Sequence, residues 1–183
     1  MKGRVLHRLP GDPSPHREVA RMLRVDHAGE YGATRIYEGQ LAVVAAGRAA
    51  GEIRRMAEQE QRHLARFESL LRERRVRPTL LQPLWSVAGR VLGVATALLG
   101  EPAAMACTVA VEEVIDEHYR DQADRLVDAD PALCETILSF RDDELAHRAT
   151  ALAMGAEHAP GYDLLSAVVK TGSRLAIRLS TRF

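Results

Sequence analysis

Two copies of one short pattern, Glu60-Gln61-Arg62-His63 and Glu144-Leu145-Ala146-His147, each set a carboxylate and an imidazole three residues apart. On a helix, positions i and i+3 lie on neighbouring parts of one face, so each pair can grip one ion. A single copy means little, because Glu-x-x-His arises by chance on solvated, charged helix faces. Here both copies fall on apolar stripes. The first keeps company with Ile53, Met56, Leu64 and Phe67, away from Arg54, Arg55, Arg62 and Arg66; the second sits with Ile137, Phe140 and Ala151. A lone inward acid precedes each. Glu30 stands 30 residues before Glu60 on a face with Leu23, Ala33, Tyr37 and Leu41. Glu112 stands 32 residues before Glu144 on a face with Met105, Val109, Ile115 and Tyr119, whereas Glu113 shares the outward side with Asp116, Glu117 and Arg120.

The two halves are therefore offset by 82 to 84 residues. Two such helix pairs make a four-helix bundle in which Glu30, Glu60, His63, Glu112, Glu144 and His147 converge, the known signature of di-iron and di-manganese carboxylate bundles. Electrostatics points the same way. Four ionised carboxylates in one core would repel and drive their pKa values up unless cations were present, and two divalent ions balance four such charges. Oxygen and imidazole donors suit iron or manganese better than the thiolate-rich sites of structural zinc. The bland alternative, a bundle with two helical charge clusters, must explain six polar residues on core stripes in register.

The elements that must position these residues follow from the chain in order. Residues 1–15, with Pro10, Gly11, Asp12, Pro13 and Pro15, read as a loose lead-in that ends in a helix start near Ser14-Pro15. A long helix to about residue 50 carries Glu30, flanked by Gly29 and Gly32, which let another helix or a ligand come close. A break over Gly47 to Gly51 leads to a second helix, about 52–75. Residues 80–100 are apolar, with Arg90 the one formal charge before Glu101. That length nearly spans a bilayer, but Arg90 near its middle would cost about 2.5 to 3.5 kcal/mol, and Pro83, Gly89 and Gly93 interrupt it. Covering the bundle or lying in the membrane surface are the two readings that compete there. Helices over about 101–129 and 131–156 carry the second half of the repeat. Residues 161–183 form a last amphipathic helix with Lys170, Arg174, Arg178 and Arg182, which suits either a membrane surface or packing on the bundle.

Other residues attract attention by position. Tyr119 lies two turns beyond Glu112 on its face, and His118 adjoins it; both are candidates for substrate contact or for proton and electron delivery, against the plainer reading of a core Tyr and a surface His. Asp26 and Asp116, each four residues from an inward Glu, are candidates to hold the imidazoles from behind. Trp85 either anchors at a membrane interface or packs inside. The composition sets bounds on the rest. A 46% hydrophobic content over 183 residues suffices for one core, and 4% aromatics with abundant Ala, Leu, Arg and Glu favours an all-α domain spanning residues 1–183. Zero net charge speaks against nucleic-acid binding through bulk electrostatics. Cys107 and Cys134 have no CxxC spacing and read as isolated thiols in a reducing compartment, and the N-terminus has no signal-peptide apolar run.

Longer stretches then narrow the field: Asp26-His27-Ala28-Gly29-Glu30-Tyr31-Gly32-Ala33, Arg77-Pro78-Thr79, Pro83-Leu84-Trp85, Thr96-Ala97-Leu98-Leu99-Gly100, Ala104 through Glu113, and Arg141 through His147. From about Met22 to the C-terminus the chain resembles the di-iron 5-demethoxyubiquinone hydroxylases of ubiquinone biosynthesis, also called 3-demethoxyubiquinol 3-hydroxylases. The resemblance implies a ferritin-like four-helix bundle with additional apolar and amphipathic membrane-facing helices. It implies a monooxygenase with two iron ions that hydroxylates the ring of a hydrophobic quinone with O2, using electrons ultimately from NAD(P)H. Glu60 and Glu144 would bridge both metals, with Glu30 and His63 serving one ion and Glu112 and His147 the other. It also implies peripheral attachment to a membrane surface, on the cytoplasmic side in bacteria or the matrix side of the mitochondrial inner membrane; the lack of a long N-terminal extension fits a bacterial source or a trimmed precursor. Gly47-Arg48-Ala49-Ala50-Gly51 is a turn between helices rather than a dinucleotide loop. Electrons therefore arrive from a separate reductase or directly through the bound quinone, between which the sequence does not choose. A lipid-carrying helper protein and a homo-oligomer are partners the resemblance leaves open. A ferritin-like iron-oxidising or storage protein is the alternative, against which the apolar 80–100 segment argues.

Overall fold

A computed structural model describes residues 14–183, and from Pro15 onward the chain is almost wholly helical. Most of the lead-in expected over residues 1–15 lies outside the described residues. Helix α1 (Pro15–Val43) starts where the sequence placed it, with the Ser14 side chain accepting from Arg17 N–H and Pro15 in the first turn. It ends earlier than expected. Ala49 and Ala50 continue the buried stripe of Ile53 and Met56, so they belong to α2 (Arg48–Glu73), and Gly51 sits inside that helix rather than in a turn. The break is confined to residues 44–47, where Gly47 takes φ 94°, a value L side chains resist.

Helix α3 (Gln82–Leu98) follows, then α4 (Glu101–Leu126), α5 (Pro131–Ala153), a short 3-10 turn (Ala156–His158) and α6 (Tyr162–Ser180). Short connections make α1 with α2, and α4 with α5, antiparallel neighbours, and these four helices form the bundle. Among the described residues the all-α arrangement of six α-helices is that of a ferritin-like bundle whose two pairs are joined through α3. The core is layered. Toward one end Tyr37, Ile53, Met56, Met105, Val109 and Ala151 pack together, and toward the other Leu23, Phe67, Tyr119, Leu126, Leu133 and Ile137 do so. In sequence, every inward acid and Glu-x-x-His pair falls between these two sets, so the polar residues form one stratum enclosed by apolar ones.

The segment over 80–100 covers the bundle from outside. Its α3 lies along α1, burying Gly89, Gly93, Thr96 and Ala97 and leaving Leu84, Val87, Val91 and Leu98 exposed. Glycine is needed here because the two backbones touch. A Cβ on Gly93 would collide with the Ile36 carbonyl, one on Gly39 with the Arg90 carbonyl, and one on Gly89 would lie 2.9 Å from the Gly32 carbonyl. Arg90, awkward for a membrane span, instead reaches across to Glu38 at 2.9 Å. Among the described residues no helix is long and apolar enough to cross a membrane. The last helix, α6, packs on α4, and two of its basic residues serve that contact: Lys170 pairs with Glu113 and Arg174 with Glu117. Trp85 donates to the Ser180 hydroxyl at 3.0 Å, and Leu80 N–H donates to the Phe183 carbonyl, which fastens the end of α6 to the start of α3.

A contrast between two glycines tests this packing. Gly93→Ala should cost roughly 3 kcal/mol, because backbone cannot yield as a side chain does, and lower Tm by about 5 to 10 °C. Gly51→Ala, with nothing within 4 Å of the added Cβ, should leave Tm equal or raise it. Thermal unfolding of both variants is the measurement, and equal melting temperatures would contradict the backbone contact.

Candidate metal centre

The six residues expected to converge do so. Glu30 comes from α1, Glu60 and His63 from α2, Glu112 from α4, and Glu144 and His147 from α5; all are 3% exposed or less. Their donor atoms form two groups, Glu30, Glu60, His63 and Glu144, and Glu60, Glu112, Glu144 and His147, each within 4.8 Å. Glu60 and Glu144 are common to both, which is the geometry two bridging carboxylates require. Both imidazoles turn Nδ1 inward. His63 Nδ1 lies 3.1 Å from Glu144 and 3.6 Å from Glu30, and His147 Nδ1 lies 3.1 Å from Glu144 and 3.2 Å from Glu60. Yet His63 Nδ1 and Glu60 Oε1 are buried without an aligned hydrogen bond. These atoms crowd toward a shared point rather than satisfying one another, as ligands of an ion do. Carboxylate oxygens and imidazole nitrogens at this spacing fit a pair of divalent ions.

The buried charges of the cage shift one another's protonation. Burial, then the charges of Glu144 and Glu30, pushes Glu60 well above the usual carboxylate range, and burial with Glu144 raises Glu112 to about 8. Burial opposes charge on the imidazoles, but Glu144 and Glu30 outweigh it at His63, raised to about 10, and Glu112 and Glu144 do so at His147, raised to about 9. Burial likewise opposes charge on Glu144, and the two imidazoles overcome it, holding that carboxyl down to about 2.

The supporting residues differ from expectation. Asp26 is fully enclosed and bonded to His118 and Gln122, and Asp116 pairs with Arg141 and Arg120; neither touches a cage imidazole. A residue four places along the same helix stays on that helix's face, whereas an imidazole's far nitrogen points to a neighbouring helix. Asp143 on α5 meets His63 Nε2 at 3.0 Å, and Gln59 on α2 meets His147 Nε2 at 3.3 Å. Each is an acceptor that fixes the proton on Nε2 and leaves Nδ1 free to bind an ion. Tyr119 is part of the site, its hydroxyl donating to Glu30. His118 is partly exposed and meets Asp26 and Gln122 rather than a cage residue. Tyr37, read from the sequence as a core residue, donates to Glu112 Oε1 at 3.0 Å. Its signal was present: Tyr37 follows Glu30 by seven residues just as Tyr119 follows Glu112. Burial, then the carboxylates around them, keeps both phenols well above their usual pKa and therefore neutral donors.

An apolar groove of about 390 Å³ opens beside the cage between α1, α3, α4 and α6, with Gly29, Gly32, Trp85 and Gly172 in its wall. Ala33, Ile36 and Val111 line both this groove and a second cavity, about 10 Å³, bounded by Tyr37, Thr108 and Glu112. The groove thus points at the cage through a neck of small and branched apolar side chains.

The protonation pattern gives a pH signature. Stability from groups raised above their unfolded values, 6.5 for His63 and His147 and 4.5 for Glu60 and Glu112, is complete below those values and lost as pH climbs through the folded ones. Glu144, shifted down, contributes fully above 4.5 and is flat across that range. Chelator-treated protein should therefore melt lower at about pH 9 than at about pH 6.5. Saturating Mn2+ should raise Tm more at the higher pH, since ligands must lose protons to bind it; equal pH slopes with and without the ion would contradict the scheme.

Comparison with known proteins gives the family to which this site belongs. The family described as ubiquinone biosynthesis protein COQ7 matches residues 17–180. A 3-demethoxyubiquinol 3-hydroxylase of Rhodospirillum rubrum is 57% identical over 176 residues, covering 96% of this chain and 83% of the relative. A mitochondrial NADPH-dependent 3-demethoxyubiquinone 3-hydroxylase of Mus musculus is 52% identical over 169 residues, 90% of this chain and 78% of the relative. A mitochondrial 5-demethoxyubiquinone hydroxylase of Saccharomyces cerevisiae is 39% identical over 174 residues, 86% of this chain and 75% of the relative. Matched across nearly its whole described length, the chain belongs to the COQ7 family of ubiquinone biosynthesis proteins.

Proposed function

We propose that the chain, taken as one domain, is a di-iron monooxygenase that hydroxylates the ring of a demethoxyubiquinone or demethoxyubiquinol in ubiquinone biosynthesis. The observation that carries this reading is an apolar groove leading to a buried carboxylate and imidazole cage, in a chain whose relatives are named hydroxylases of that substrate. Glu30 and His63 would hold one ion, Glu112 and His147 the other, and Glu60 and Glu144 both. Two ferrous ions held there would supply activation of O2, the net reaction placing one oxygen atom in a ring C–H bond and releasing the other as water at the expense of two electrons and two protons. NADPH, named for several relatives, is the proposed ultimate source, through a reductase or the quinone itself. The iron-storage alternative gives no use to the groove.

The chain's own residues supply binding and order. Gly29 and Gly32 on α1 and Gly172 on α6 leave room for an isoprenoid tail, while Ile36 and Val111 exclude water from the neck. Tyr37 and Tyr119 donate hydrogen bonds to the carboxylates Glu112 and Glu30, limiting how those carboxylates swing. The exposed Leu84, Val87 and Val91 of α3, with Leu164 and Val168 of α6, suit a lipid surface from which a greasy substrate enters the groove. The proposed attachment is peripheral, on the cytoplasmic side of a bacterial membrane or the matrix side in a mitochondrion, the organelle named for several relatives.

Purified protein given iron anaerobically, then demethoxyubiquinol, O2 and NADPH with a reductase, should yield product heavier by one oxygen, at about two irons per chain. Glu144→Ala should lose both iron and turnover. Ala33→Leu, in the neck, should keep its iron while turnover falls at least about tenfold, roughly 1.4 kcal/mol. Full activity in Glu144→Ala would remove the site, and full activity in Ala33→Leu would remove the path. For the membrane face, the double change Val87→Glu and Val91→Glu should weaken co-sedimentation with phospholipid vesicles more than about tenfold at unchanged Tm. Undiminished binding would sink that role.

A further inference from the structure

The two half-sites are built from a repeat, so residues at matching positions should do matching work, and one pair does not. Gln59 and Asp143 each precede the shared Glu of their Glu-x-x-His pattern by one residue. Each crosses to the far nitrogen of the other half's imidazole, Gln59 to His147 and Asp143 to His63. One partner is a neutral amide and the other a carboxylate. A carboxylate behind an imidazole raises its basicity and its hold on a cation more than an amide carbonyl does. Its contact is also the shorter, 3.0 Å against 3.3 Å. A second difference runs the same way. Phe140, four residues before Glu144, stacks on the His63 ring with centroids 3.9 Å apart and fixes its orientation. The nearest ring to His147 is Tyr37, edge-on at 6.5 Å. The narrow cavity, moreover, adjoins Glu112 and Tyr37, on the side of His147.

We infer that the half-sites are unequal by construction: the one with Glu30 and His63, backed by Asp143, is the anchor that takes the first divalent cation. The one with Glu112 and His147, backed by Gln59, is weaker and stays exchangeable next to the substrate neck. Asp143 and Gln59 are thus positioning residues that set the order of loading. The inference rests on the cage being a two-metal site, and the test separates the two ideas.

Metal-free protein is loaded stepwise with Co2+ under nitrogen and followed by calorimetry and by the visible Co2+ spectrum; crystals given one equivalent report, by anomalous scattering, which position fills. In the wild type the first ion should sit beside His63. Asp143→Asn should weaken that step about 10 to 100-fold and bring the two occupancies toward equality. Asp143→Glu should restore the preference, which a merely structural loss would not. Gln59→Glu, made with Asp143→Asn, should invert the occupancies. Equal occupancy in the wild type, or an unchanged preference in both Asp143→Asn and the double variant, would overturn the inference and leave the metal centre standing. Failure of the wild type to bind Co2+ at all would overturn the two-metal reading and this inference with it.

Discussion

Four carboxylates cannot share a dry core without positive charge between them, and most of this architecture answers that constraint. In the absence of an ion the compensation is protonic: both imidazoles are pushed toward their charged form, and Glu60 and Glu112 toward their neutral one. Such a cage is costly to bury, and the apolar strata on either side supply the burial that offsets it. Neutral tyrosines, an amide and a carboxylate then restrict the directions in which ligand atoms can turn. The same constraint explains why the residues lie at mid-length of the bundle, where packing on both sides keeps water out.

Helices outside the bundle solve a different problem. A cage sealed on all sides would be inert toward a bulky substrate, and α3 and α6 enclose a groove instead of filling it. Small residues make that enclosure. Glycines on α1 and α3 let two backbones meet, so the wall is thin, and Gly29 and Gly32 leave width along the α1 side of the groove. Ion pairs from Lys170 and Arg174 to α4 set the opposite wall in place.

The sequence made the cage legible because helical periodicity is a strong signal and six polar residues violated it in register. It said less about what crosses between helices. Asp26 and Asp116 were natural choices by spacing, but spacing reports neighbours on one helix, and the far nitrogens of His63 and His147 are served from across the bundle. Tyr37 was hidden for a related reason: on an apolar stripe a tyrosine reads as bulk, and its hydroxyl acquires meaning only when α4 is placed opposite. The α1 to α2 turn was misplaced because Gly51 carries a turn signal that the buried Ala49, Ala50 and Ile53 stripe overrides. Residues 80–100 stayed ambiguous since an apolar helix has the same composition whether it covers protein or lipid; Gly93 against Ile36 and Arg90 against Glu38 identify the face that covers protein.

The crossed hydroxyl bonds, Tyr37 to Glu112 and Tyr119 to Glu30, relate the two halves of the chain by an approximate symmetry. Each half of the chain completes the other's carboxylate, as two copies of one helical hairpin would in a symmetric dimer. Such a dimer is encoded by one gene, and any residue it places behind one imidazole it must place behind both. Once the two hairpins are fused, positions 59 and 143 are free to diverge. A difference between the two halves of the cage is therefore something a single chain can encode and a symmetric dimer cannot.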